Sequence, residues 1–171
     1  MISITTNDNK LARAMEPRAT TPFRRWHALK QLVQEGIPTG VMLGPMIPGL
    51  NDDEMEAIME QAVDHGASYA AYTILRLPLE VSPIFQEWLE TVTPTRACRI
   101  MRHIREMNGG KTYDPNWSRG AEIKGTYAKL ISMRFRKSLK RTGLLSRPHI
   151  PLDCTQFRVP EKITGQGDLF E

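Results

Sequence analysis

The residues best suited to ligand chemistry lie where three apolar segments of the chain end. Thr5, Thr6 and Asn7 follow the first segment and offer hydroxyl and amide groups that can bind a ribose or a carboxylate. Residues 45–48, Pro-Met-Ile-Pro, follow the second, where an apolar ledge with backbone groups left unpaired by proline suits a flat heterocycle such as adenine. Arg76 follows the third, where a cation can reach a carboxylate or a phosphate. The alternatives are a plain tight turn at 45–48 and a surface ion pair at Arg76.

A second cation, Arg18, stands in the sequence Glu-Pro-Arg after the first segment. Its guanidinium can bind a carboxylate through two hydrogen bonds, and a salt bridge within the loop is an equally good interpretation. Motifs for other chemistry are missing from the sequence, since the four histidines are scattered and no HExxH, GxSxG or P-loop pattern occurs. Cys98 and Cys154 have no CxxC or CxxxC neighbour, so we expect free thiols and no iron–sulfur cluster held by this chain alone.

A parallel sheet would bring the three segment ends together, and the sequence predicts one. Strand and helix patterns alternate three times, with strands predicted at 2–6, 39–43 and 69–75. Such units form a parallel sheet with right-handed crossovers. Ligands of α/β proteins bind at the carboxyl ends of the strands of such a sheet.

Capping residues mark where the helices should begin. A hydroxyl before proline predicts helix starts at Thr21-Pro22 and Thr93-Pro94. Asn51, with Glu54 three residues later, has the spacing of a capping box for the helix that follows the second strand.

The chain divides into three predicted regions. Residues 1–107 hold the three strand–helix units, residues 108–145 a glycine-rich loop and a basic helix, and residues 146–171 an irregular tail. No apolar run approaches the roughly 18 residues that a membrane span needs, and the N-terminus lacks a secretory pattern. We therefore expect a cytoplasmic protein that has no contact with membranes.

Basic residues are concentrated between residues 96 and 149, from the end of the first region to the start of the third. Residues 96–149 carry fourteen Lys and Arg against three Asp and Glu, whereas residues 1–95 carry seven against twelve. This block indicates a polyanion partner such as nucleic acid, bound by Lys129, Arg136 and Lys140 with Tyr113 and Trp117 nearby for stacking. A set of ordinary solvated helix faces is the alternative.

The last residues, Gln-Gly-Asp-Leu-Phe at 166–170, resemble the pentapeptide with which bacterial proteins bind the DNA polymerase sliding clamp. In that interaction Leu169 and Phe170 would enter an apolar pocket and Gln166 would anchor the extended peptide. A disordered tail is the alternative.

The order of these segments resembles the later part of bacterial radical S-adenosylmethionine (radical SAM) proteins. The similarity covers most of the chain, and the blocks that carry it best are EPRATTPFRR, PMIPGLND and LRLP. Within that family the chain is most similar to the group of spore photoproduct lyase, loosely called DNA repair photolyases. The resemblance implies an α/β fold made of the C-terminal half of a partial (β/α)6, TIM-like barrel, with residues 1–107 as a half-barrel and a helical basic extension after it.

The resemblance also implies a cofactor and the residues that bind it. Intact family members hold a 4Fe-4S cluster and reductively cleave S-adenosylmethionine to a 5′-deoxyadenosyl radical. Ser3 and Thr5 would lie near the ribose or the amino-acid end, and Met46, Ile47 and Pro48 would lie beside adenine. Arg18 is the candidate partner of the cofactor carboxylate, and Arg76 lies on the segment that matches the last strand.

The part of the family pattern that holds the cluster is missing from this sequence. The CxxxCxxC loop and the first three strands have no counterpart, so we expect the chain to be inactive alone. The missing strands would come from a partner chain or an N-terminal half, and the lone chain would expose an unpaired sheet edge.

Overall fold

The computed structural model describes residues 1–113 and 125–146, together with residues 155 and 158. Its strands are β1 (Ile2–Ser3), β2 (Gly40–Met46) and β3 (Tyr69–Ile74). Its helices are α1 (Asn9–Met15), α2 (Pro22–Gln34), α3 (Met55–Asp64), α4 (Val81–Val92), α5 (Pro94–Met107) and α6 (Thr126–Thr142), and a 3₁₀ turn (Asp52–Glu54) precedes α3.

The three strands form one parallel sheet in the order β1-β2-β3, which confirms the predicted α/β class. Ile2 pairs with Val41 and Gly40 pairs with Tyr69. Neighbouring strands can lie this close at Gly40, because a Cβ there would sit 2.7 Å from the Cβ of Tyr69. Helices α2 and α5 begin at the predicted prolines, although the hydroxyls of Thr21 and Thr93 make no capping hydrogen bond.

The first strand is shorter than predicted. Its ladder ends at Ser3, and the last hydrogen bond to β2 runs from the Ile4 amide to the Met42 carbonyl at 2.9 Å. Thr5 and Thr6 leave the ladder because their backbone and hydroxyl groups bind the turn after β2 instead. They therefore stand at the carboxyl end of the sheet.

Helices cover one face of the sheet. Ile4, Val41 and Leu43 are fully buried and share one apolar cluster with residues of α2, α3 and α6. The alternate strand residues lie on the opposite face, where Ser3 and Thr73 are exposed and Met42 and Ala71 are half-buried. The face that these helices leave open thus carries small and polar side chains together with Met42 and the buried Tyr69.

A second apolar cluster lies at the carboxyl ends of the strands. Residues of α4 and α5 form it with Ile47 and Leu77, and α1 packs against it through Leu11 and Met15. Trp88 of α4 fixes α1 by donating its indole N–H to the Ala14 carbonyl at 3.0 Å. The clusters therefore place α1 and α4 beside the strand ends.

The two edges of the sheet differ. At β3, the Ala70 amide donates to the Leu145 carbonyl at 2.9 Å and the Leu145 amide donates to the Ser68 carbonyl at 3.0 Å. The chain after α6 therefore covers part of the β3 edge, while β1 forms the other edge of the sheet. Within the described ranges, none of the helices combines the length and the apolar character needed to cross a membrane.

Candidate functional site

Asn51 ties the carboxyl ends of β1 and β2 together. Its side chain is fully buried, and Oδ1 accepts the Ile47 amide at 2.7 Å. Nδ2 donates to the Thr5 carbonyl at 2.8 Å and to the Pro45 carbonyl at 3.0 Å. The predicted capping role is wrong, because this side chain makes no capping bond to the following turn. One buried amide instead fixes the backbone on both sides of the strand ends.

The predicted polar residues Ser3 and Thr5 meet at the same place. The Ser3 hydroxyl donates to the Gly44 carbonyl at 3.1 Å, and the Thr5 hydroxyl lies 3.3 Å from that carbonyl. The Thr5 hydroxyl also lies 3.2 Å from Oε2 of Glu16. Since a hydroxyl has one proton, Thr5 can donate either to the Gly44 carbonyl or to the Glu16 carboxylate, but not to both at once.

Arg25, which the sequence reasoning missed, completes this group from α2. Its Nη2 donates to Oε2 of Glu16 at 2.9 Å, and its Nη1 donates to the Ser3 carbonyl at 3.0 Å. Its Nε donates to the Thr20 carbonyl at 2.9 Å. The guanidinium therefore holds the Glu16 carboxylate beside the strand ends and occupies a backbone acceptor of β1.

Thr6 and Asn7 belong to the scaffold. The Thr6 hydroxyl donates to Oε1 of Glu54, and the backbone amide of Asn7 donates to Oε2 of the same carboxylate at 2.7 Å. Asn7 Oδ1 accepts the indole N–H of Trp26 at 2.9 Å. Glu54 was predicted to close a capping box, but its carboxylate joins the end of β1 to the start of α3.

An apolar pocket of about 530 Å³ opens at the carboxyl ends of β2 and β3. Pro45, Ile47 and Leu75 form its floor, and the end of α1 with residues 14–17 forms one wall. The other wall comes from α4, and its lining residues are Val81, Ile84, Phe85 and Trp88. Among the described residues that line it, Glu16 is the charged one. This volume falls in the range of small-molecule sites.

The ledge predicted at 45–48 faces this pocket in part. Pro45 and Ile47 line it, although Ile47 is itself fully buried in the second apolar cluster. Met46 is fully buried in the other cluster, between the sheet and its helices. The register shifts between Leu43 and Met46, so that the strand alternation slips by one residue and Met46 turns toward the core. Pro48 is buried outside the lining. The sequence pattern alone could not place this irregularity.

The two predicted cations lie away from the pocket lining. Arg18 is exposed on the turn after Pro17, which itself lines the pocket. Arg76 is also exposed, and its guanidinium carbon lies 5.7 Å from the centre of the Tyr113 ring. Its Nη2 is 3.5 Å from the Tyr113 hydroxyl. Leu75, the neighbour of Arg76, is the residue of this segment that reaches the pocket.

The basic residues of α6 divide between two faces. Lys129, Arg136 and Lys140 are exposed and lie seven and four residues apart, which places them on one stripe of the helix. Arg134 and Arg141 point to α3 and form ion pairs there, the latter with Glu60 at 2.6 Å. Two basic residues of α6 thus form ion pairs with α3, whereas three others form an exposed stripe.

Several predicted binding residues lie outside the described residues. These are Trp117 and the tail residues Gln166, Leu169 and Phe170. Among residues 1–113 and 125–146, no group of three or more His, Cys, Asp and Glu side chains is placed to hold a metal ion. Cys98 is a free thiol on the exposed side of α5, and Cys154 is not described.

Comparison with known proteins gives no relative from which to assign a function. No protein-family model, curated protein or solved structure matches this chain. Function is therefore inferred from the pocket at the strand ends, the group around Glu16 and the exposed stripe of α6.

Proposed function

We propose that this chain is the C-terminal half of a radical SAM barrel and that its pocket binds the nucleoside part of S-adenosylmethionine. The observation that supports this most is that, among the described residues, α2, α3 and α6 all pack on the same face of the sheet. A doubly wound sheet carries helices on both faces, whereas strands of a barrel keep one face for the interior. Small and polar residues such as Ser3 and Thr73 suit that interior face.

The chemistry of the pocket suits a nucleoside. Pro45 and Leu75 offer apolar contacts to the faces of an adenine ring, and Trp88 adds an aromatic wall. Glu16 can accept hydrogen bonds from ribose hydroxyls or from an ammonium group, while the ion pair with Arg25, 2.9 Å away, holds the carboxylate in place. The protein thus supplies a flat apolar slot with one oriented carboxylate.

The remaining predicted residues surround this slot. Ser3 and Thr5 lie on the interior side of the strand ends, near Glu16. Arg18 follows directly on the pocket wall and stays our candidate for the cofactor carboxylate, with Arg76 as the second cation on the rim. The proposal places the chain in the reducing cytoplasm, in keeping with the free thiol of Cys98.

The described residues do not fit an iron–sulfur cluster, because they bring no set of ligands together. In the family the cluster supplies the electron for reductive cleavage of S-adenosylmethionine. A cluster would therefore have to be held by a partner chain or an N-terminal half. Such a partner would add its strands beside β1, because Leu145 already occupies part of the opposite edge at β3. Before it docks, Arg25 covers the Ser3 carbonyl on the β1 edge.

Calorimetric titration of the full chain with S-adenosylmethionine and with adenosine tests the pocket. Ile84→Asp places a charge on the apolar rim at a residue that is 64 % exposed, so it should leave the fold intact. We expect it to weaken both ligands by about tenfold or more, which corresponds to about 1.4 kcal/mol. Val63→Asp, at an exposed residue of α3, is the matched control and should bind as the wild type does. Equal affinity of the Ile84 variant, or no binding by the wild type, contradicts the proposal.

A second function, binding of nucleic acid, is favoured by the exposed stripe of α6. Helix α6 carries six Lys and Arg residues and no Asp or Glu over 126–142. Lys129, Arg136 and Lys140 stand on its exposed stripe, where they can follow a phosphate backbone. If the chain is half of a radical SAM barrel, this surface would bind a nucleic-acid substrate. If the chain is instead a non-enzymatic binding module, nucleic-acid binding through this surface would be its whole function.

Salt-dependent binding of a labelled single-stranded oligonucleotide tests the stripe. Replacing Lys129, Arg136 and Lys140 by glutamine should reduce the magnitude of the salt slope by about 2, since each phosphate contact on a single strand contributes about 0.7. The control removes three exposed cations elsewhere, namely Lys10, Arg24 and Lys30. Equal losses in the two triple variants would show that the stripe is not the binding surface.

The sliding-clamp interaction of the tail also stays a prediction. Deleting residues 166–170 should abolish binding to an immobilised clamp while leaving nucleoside binding unchanged. Unaltered clamp binding by the shortened chain would reject a role for Gln166, Leu169 and Phe170.

A further inference from the structure

Helix α6 contacts the turn that follows the pocket floor through one buried carboxylate. Asp52 is 3 % exposed, and its Oδ2 accepts the Tyr127 hydroxyl at 3.0 Å and Nη1 of Arg134 at 3.1 Å. Nη2 of Arg134 also donates to the Asp52 backbone carbonyl at 2.8 Å. Two side chains of α6 therefore hold the side chain and the backbone of the same residue.

The other carboxylate oxygen of Asp52 binds the turn next to the pocket floor. This oxygen, Oδ1, accepts the Gly49 amide at 2.6 Å, which fixes the turn between β2 and α3. The preceding residue, Asn51, accepts the Ile47 amide at 2.7 Å and donates to the Pro45 carbonyl. The hydrogen bonds from α6 to Asp52 are thus linked, through the peptide bond to Asn51, with the hydrogen bonds that Asn51 makes to Pro45 and Ile47, two of the three residues of the pocket floor.

Glu56 and Arg134 stay charged at neutral pH, and Tyr127 stays neutral. Arg134 donates to both oxygens of Glu56, at 2.8 Å from Nε and 2.6 Å from Nη2. That hydrogen bonding lowers the pKa of Glu56 below its ordinary value of 4.5 and raises the pKa of Arg134. Burial and the charge of Asp52 raise the pKa of Tyr127 to about 12. The phenol of Tyr127 therefore stays a donor, and Glu56 stays ionised beside Arg134.

We propose that Tyr127 and Arg134 are positioning residues of the pocket, which they hold in shape by fixing Asp52 and the turn beside Asn51. Helix α6 is then part of the ligand site even though none of its residues lines the described pocket. The inference about ligand affinity rests on the proposed nucleoside function, whereas the inference about the turn does not.

A purely structural anchor between α6 and α3 would behave differently. Arg141 forms such an anchor with Glu60 on the same pair of helices, away from the turn. It therefore provides a matched control, because Arg141→Lys perturbs a contact between the same two helices, α6 and α3, at a different carboxylate. Tyr127→Phe removes one hydroxyl and keeps the ring against His103, whose centroid is 4.3 Å away. Arg134→Lys keeps the charge but loses the fork that spans Asp52 and Glu56.

Amide hydrogen exchange at Gly49 and Ile47, measured on the full-length variants under native conditions, tests the proposal. We expect Tyr127→Phe and Arg134→Lys to speed exchange at both amides by about tenfold relative to amides in the centre of β2, the equivalent of losing about one hydrogen bond. Arg141→Lys should leave these two ratios unchanged. Unchanged ratios in the Tyr127 and Arg134 variants, or the same increase in the control, overturn the proposal.

Adenosine affinity is the second readout. The two positioning variants should bind adenosine more weakly by about tenfold at a temperature where each is fully folded, and the Arg141 control should not. Absence of adenosine binding by the wild type would refute the nucleoside function alone, because the exchange ratios still decide whether α6 positions the turn. Weaker exchange protection together with unchanged affinity would refute the effect on the ligand.

Discussion

Replacing Asn51 by leucine is the substitution that most directly probes how the strand ends are held. Leucine has nearly the same size as asparagine but no polar atom. The change would leave the Ile47 amide and the Thr5 and Pro45 carbonyls without the partner that each has now. Because Asn51 is fully buried, the apolar side chain would also face these three groups from inside the protein.

The expected cost follows from those three groups. A buried polar group that loses its partner costs about 1–3 kcal/mol. Since the three groups share one site and can relax together, we expect a combined loss of about 3–5 kcal/mol rather than the full sum. Against a typical unfolding free energy of about 5–15 kcal/mol, this is a large fraction of the total.

Urea unfolding followed by circular dichroism measures the loss. With a slope of about 2 kcal/mol/M, the midpoint should fall by about 1.5–2.5 M. Asn108→Leu is the control, because within the described residues that side chain makes one hydrogen bond, to the Ile104 carbonyl at 2.8 Å, on a half-buried helix end. We expect about 1 kcal/mol there. If Asn51→Leu costs no more than the control, the amide is not the link that we describe.

Three further substitutions or conditions test other contacts. Gly44→Ala should destabilise the chain by about 1–3 kcal/mol because its Cβ would collide with the Thr73 hydroxyl; Thr73→Ala should restore most of the loss, and a simple sum of two losses in the double-mutant cycle would contradict the collision. The ionised carboxylate of Glu56 contributes its full share to the free energy of unfolding above its ordinary pKa of 4.5, and this share should be lost as the pH falls through the depressed pKa of the folded protein. In a titration of the urea midpoint against pH, Arg134→Met should flatten this decline at acid pH. An unaltered decline would refute the linkage. Anaerobic reconstitution of the lone chain, followed by reduction with dithionite, should give no stoichiometric 4Fe-4S signal by electron paramagnetic resonance; such a signal would show that the chain holds a cluster by itself.

The order of strands and helices could be predicted because it depends on local patterns. The prolines at 22 and 94 mark the starts of α2 and α5, and apolar segments with β-branched residues mark the strands. These signals act within a few residues, so a single sequence contains them. The polar ends of the strands were therefore found where the sheet would bring them together.

The contacts that shape the site depend on residues far apart in the chain and could not be predicted in this way. Asn51 binds the Thr5 carbonyl, 46 residues earlier, although its local spacing favours a helix cap. Met46 faces the core because the ladder slips at the Gly44-Pro45 step, which no apolar periodicity reveals. Arg25 and Glu16 stand nine residues apart, and only the fold brings their side chains to the end of β1.

The most direct test of the proposed nucleoside pocket is a titration of the isotope-labelled full chain with S-adenosylmethionine. Binding is monitored through the chemical shifts of backbone amides and tryptophan indoles. We predict saturable shifts at Ile47, Leu75 and the Trp88 indole, which surround the pocket, and much smaller shifts along α6. Absence of saturable shifts, or shifts confined to the basic residues of α5 and α6, would contradict the proposal that this pocket is the nucleoside side of a radical SAM site.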